Sequence, residues 1–70
     1  MNQETLQELL FRRPFEPFAV RLSNGESFQV RHPEMAFVTK SRLVVGQADS
    51  DRVTICSLIH INSIEMLQAA

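Results

Sequence analysis

The apolar positions of this chain follow a helical spacing at first and a strand spacing afterwards. Leu6, Leu9 and Leu10, with Arg13 one turn further on, recur at i, i+3, i+4 and i+7, which predicts a helix over residues 1–13 with three leucines on one face. Asn2 is placed to cap it, or Thr5 with Glu8 forms a capping box if the helix starts later. Glu8 and Arg12 stand four apart in the favourable order. Pro14 ends the helix, because the residue before a proline is pushed out of the helical region. About three turns are marginal alone in water, so the leucine stripe must dock on something.

After an extended PFEPF segment the period drops to two. Phe18, Val20 and Leu22 alternate with polar or small residues, as do Phe28 and Val30 beyond an Asn24-Gly25 turn signal. A two-residue loop over Asn24-Gly25 sets Val20 opposite Gln29 and puts the two apolar sets on opposite faces. A three-residue loop, Ser23-Asn24-Gly25, sets Leu22 opposite Glu26, Val20 opposite Phe28 and Phe18 opposite Val30. All the apolar side chains then share a face. The geometry that fits is a type I turn followed by a left-handed glycine bulge at Gly25.

His32-Pro33-Glu34 breaks the second strand. MAFVT (35–39) and RLVVG (42–46) read as another hairpin over Lys40-Ser41, and QADSDR (47–52) as a polar, acidic, mobile loop. From Val53 to Ile61 the odd positions are mostly apolar, while Cys56 and Leu58 make the other face apolar too. That predicts one continuous strand, central or covered by the helix. Asn62-Ser63 interrupts it, and Ile64–Leu67 forms a short closing strand. The sum is a single domain: a helix over 1–13, then five or six short antiparallel strands over 18–67. So few residues in sequential hairpins fit a small SH3-like or Sm-like barrel.

Composition narrows the function. Lys and Arg number seven against eight Asp and Glu, a formal net charge of −1, and the signs are interleaved. The overall field therefore drives neither nucleic-acid nor membrane binding. One cysteine allows no internal disulfide and no CxxC zinc site, so no cofactor is expected. The amino-terminal segment lacks the pattern of a secretory signal and no apolar run is long enough to span a membrane, which points to the cytoplasm. A single core of this size rarely supplies more than about 3–5 kcal/mol, so self-association is the remaining source of stability.

TLQELLFRR, VRLSNG and IHINSIEML, in that order, resemble the bacterial Sm-like RNA chaperones. The resemblance implies a small barrel in a ring, with a uridine pocket at the ring interface that uses a lysine–histidine pair. His60 matches the histidine, but Ile59 stands where the lysine would be. A closer likeness, covering most of the chain, is to uncharacterised small bacterial proteins that carry RRPFEPF, L-S-N-G-x-x-F-x-V-R-H-P-E and L-x-H-I-x-x-I-E. These stand here at 12–18, 22–34 and 58–65. That likeness implies a shared fold and supplies no activity.

Few residues offer chemistry. A cysteine–histidine hydrolase needs thiolate and imidazole in contact. Cys56 and His60, on one strand, would lie about 13 Å apart. A lone cysteine reads instead as a small buried hydrophobe. His32, Glu34 and His60 suit a divalent metal by type but not by spacing, and His32-Pro33-Glu34 reads as a corner whose polar groups cap exposed amides. Arg12, Arg13, Arg21 and Arg31, with Phe15 and Phe18, are the residues a nucleic-acid face would use; Glu16 and Glu26 dilute it. The expectation is a non-enzymatic module acting through protein contacts or as a homo-oligomer. The alternative is an Sm-like RNA binder. His32, Glu34, His60 and Asn62 are the candidate interface or ligand contacts.

Overall fold

Asn2 opens the helix α1 (Gln3–Phe11): its side-chain oxygen accepts the Thr5 N–H at 2.9 Å, so the simple cap forms and not the capping box. The helix stops two residues earlier than its pattern suggests, because Arg12 is already extended. The Arg13 guanidinium then donates to the Leu10 and Arg12 carbonyls, at 3.3 and 2.9 Å, satisfying acceptors the helix end leaves open. The computed structural model describes residues 1–47 and 49–67. Residue 48, in the predicted mobile loop, lies outside the described residues.

β1 (Phe18–Leu22) and β2 (Ser27–Val30) pair antiparallel with Phe18 opposite Val30 and Val20 opposite Phe28, the register that the three-residue loop requires. The Leu22 N–H donates to the Glu26 carbonyl at 2.8 Å, and Gly25 has φ +91°. His32 then leads into a 3-10 turn, Pro33–Met35, where Pro33 offers no N–H to a ladder. β3 (Ala36–Val38) and β4 (Arg42–Gly46) form the second hairpin, and β5 (Val53–Ser57) follows the 47–52 loop and pairs with β4.

The strand expected over residues 53–61 is broken. It ends at Ser57, passes through a second 3-10 turn, Leu58–His60, and resumes as β6 (Ile61–Met66), which runs through the expected interruption at Asn62-Ser63. The break buries Leu58 at a corner, and the Leu58 N–H bonds the Ser41 carbonyl at 2.9 Å. β6 then pairs with β1, and its register shifts by one residue between Arg21 and Leu22. Asn62 is the extra residue, so Ile61 and Ile64 both turn inward.

The result is mainly β: two three-stranded antiparallel sheets, ordered β2–β1–β6 and β3–β4–β5, with one helix at the amino-terminal end. Phe18, Val20, Val30, Leu43, Val45, Leu58 and Ile61 from the sheets and corners meet Leu6 and Leu10 of α1 in one core. Leu9 is only half-buried against it. The helix lies against β3 and not over β5. Among the described residues no helix is long and apolar enough to cross a membrane.

Candidate functional site

The second sheet has an inner and an outer face because side chains alternate along a strand. Leu43 and Val45 point into the core, so Val44 points out. Val44 stands opposite Phe37 on β3 and opposite Ile55 on β5. Phe37, Val44 and Ile55 therefore make a cross-strand apolar row on the outer face, with Val53 one step along β5. Phe37, Val53 and Ile55 are 59%, 61% and 63% exposed. Singly exposed apolar residues need no explanation; adjoining ones on a sheet face are the kind of surface that interaction sites use. Ile59, at 82%, adds another exposed apolar side chain on the turn after β5.

This row corrects the expectation that β5 is central or covered. It is an edge strand, and the apolar residues at its odd positions face out. The alternation that reveals them is in the sequence; which of two apolar faces meets the core is not.

The four candidate contact residues are not brought together. His32 stands at the N-cap position of the first 3-10 turn, but its side chain makes no capping bond there, contrary to the expectation for this corner; it lines a cleft between β2 and the 47–52 loop, with Arg31. Glu34 lines a different groove, between α1 and β3, with Leu10, Phe11, Arg13 and Phe37. His60 lines a third, between the Leu22–Glu26 turn and β5, while its carbonyl accepts the Ser23 N–H at 2.8 Å. Asn62 is exposed on β6 at the bulge. Among the described residues no three His, Cys, Asp or Glu side chains gather where they would hold a metal ion.

The broken strand changes the relation of Cys56 to His60, since both line the third cleft and do not lie along one straight strand. The thiol is poorly disposed to react. Burial raises its pKa above the ordinary value, and a backbone hydrogen bond with Leu43 offsets this only in part. At neutral pH the thiol stays protonated. We expect iodoacetamide to alkylate it more slowly in the folded protein than in urea. Equal rates would show that the fold neither shields the thiol nor raises its pKa, and a faster rate in the folded protein would show a thiolate held ready. Because the folded-state pKa is raised, the stability tied to the neutral thiol is complete below the unfolded pKa. It is lost as the pH climbs through the folded one.

Two of the four candidate arginines stand in exposed ion pairs. Arg12 pairs with Glu16 at 3.6 Å and Arg21 with Glu65 at 3.4 Å, while Phe18 is fully buried and Phe15 half-buried. Compared with protein-family models, with curated proteins and with solved structures, the chain finds no match.

Proposed function

We propose that this chain is a non-catalytic small-barrel module that acts through protein contacts, including contacts between copies of itself. The outer Phe37–Val44–Ile55 row, exposed at Phe37 and Ile55 and half-buried at Val44, carries the reading. The chain crosses between its sheets at two 3-10 corners, and β6 returns to pair with β1. That course is what a small, partly open SH3-like or Sm-like barrel would follow. Apolar surface on the outside of such a barrel is stabilised by a partner that removes it from water.

The runner-up is Sm-like RNA binding. The Arg12 and Arg21 ion pairs weigh against it, as does the exposed Ile59 beside His60 where that family's lysine would stand.

The test places a photo-crosslinking amino acid at Phe37 and, as control, at exposed Lys40 in the neighbouring turn. Protein adducts at position 37 well above those at position 40 are the expected result. Yields equal at the two positions, or adducts to nucleic acid, overturn the reading. A parallel titration with oligo-uridine at low and high salt addresses the runner-up, since phosphate contacts give steeply salt-dependent affinity.

A further inference from the structure

Backbone hydrogen bonds at one end of the second sheet establish which way the groups of β5 point. The Thr39 N–H donates to the Arg42 carbonyl, so even-numbered residues of β4 face β3. Leu43 and Val45 then face β5, where they oppose Cys56 and Thr54, and the Leu58 N–H on the Ser41 carbonyl continues the same alternation. The N–H and C=O groups of Val53, Ile55 and Ser57 consequently point out of the free edge. No described residue bonds to them. Edges of this kind are normally guarded by a lysine, a proline or a bulge; β5 reads VTICS and holds none.

We propose that β5 pairs antiparallel with β5 of a second copy of this chain, across a two-fold axis at Ile55, joining two three-stranded sheets into one. The inference rests on the contact-module reading and names its partner. Pairing centred on Ile55 sets Ile55 opposite Ile55, Val53 opposite Ser57 and Thr54 opposite Cys56. Every outward-pointing residue of the strand then sits in a pair that exchanges two N–H···O bonds. Centring on Thr54 leaves Ser57 without a partner in the strand, and centring on Cys56 does the same to Val53.

No charged side chain falls within the paired segment, so no like charges meet across the axis. The Phe37–Val44–Ile55 row continues unbroken into its copy. Beside the edge, an open cleft separates β5 from the Leu22–Glu26 turn. A two-fold contact of this type is self-complementary and closes at two chains, unlike a head-to-tail ring.

Sedimentation equilibrium over a range of concentrations tests the assembly; the expected mass is that of two 8.0 kDa chains. Ile55→Lys puts two ammonium groups opposite each other at an exposed position and should weaken dimerisation at least tenfold, with the circular dichroism spectrum unchanged. In a Cys56→Ser background, Ile55→Cys should form an intersubunit disulfide on mild oxidation, because antiparallel hydrogen-bonded partners lie within disulfide reach. Val53→Cys in the same background should not, since it faces Ser57. A monomer at all concentrations, a ring of more than two chains, an Ile55→Lys dimer of undiminished affinity, or cross-linking at position 53 in place of 55 each overturns the proposal. Crosslinks from position 37 to another protein would leave the contact-module reading standing in every one of those cases.

Discussion

Leu6→Ala leaves this protein largely unfolded near 37 °C. Leu6 is wholly buried and belongs, with Phe18, Leu43, Val20 and Val30, to the largest fully enclosed side chains of the core. Truncating a buried leucine costs about 2–5 kcal/mol, from lost transfer energy and from the cavity left behind. A single core of this size supplies only about 3–5 kcal/mol in all. Nothing local compensates, because a nine-residue helix does not hold its shape in water without a docked face. Thermal melts should show a fall of at least roughly 10 °C, since 1 kcal/mol moves the midpoint by about 4–8 °C in a domain this small. Phe11→Ala on the same helix should shift it far less, as Phe11 is 69% exposed. Equal shifts for the two would mean that α1 does not sit on the core as described.

Gly25→Val should destabilise the domain by at least about 1 kcal/mol, the cost of forcing a β-branched residue to positive φ. The cause is separable from crowding. A Cβ built at Gly25 meets no atom within 4 Å, so the penalty lies in the backbone alone. Asparagine, which tolerates the left-handed region, should therefore recover part of the loss. Urea denaturation of the two variants distinguishes the explanations. A valine variant as stable as the parent would mean that the β1–β2 turn had found another geometry, and with it another register.

That turn was legible because parity leaves one answer: only the three-residue loop puts Phe18, Val20, Phe28 and Val30 on one side. The helix was legible from its leucines and the β3–β4 hairpin from its two short apolar runs. The corner at Leu58–His60 was not. It contains no glycine or proline, and Ile59, His60 and Ile61 continue a plausible strand, so no residue in it signals a bend. The outer row is hidden in the sequence for a related reason. Val53, Ile55, Cys56 and Leu58 are apolar on both faces of their segment, and only the position of β4 decides which face is wet. The candidate contacts His32, Glu34, His60 and Asn62 stand out by residue type alone, and type says nothing about distance.

The bulge at Asn62 makes the chain's tolerance of length changes uneven. An insertion or deletion in the polar 47–52 connection alters only the reach of a surface loop, which costs little. The same change at residue 62 acts as a phase error. With Asn62 removed, Ile61 would occupy the place of a residue that points outward, and either it or Ile64 would have to leave the core. One amide-bearing residue thus keeps two isoleucines, three positions apart, on the same side of a ladder whose natural period is two.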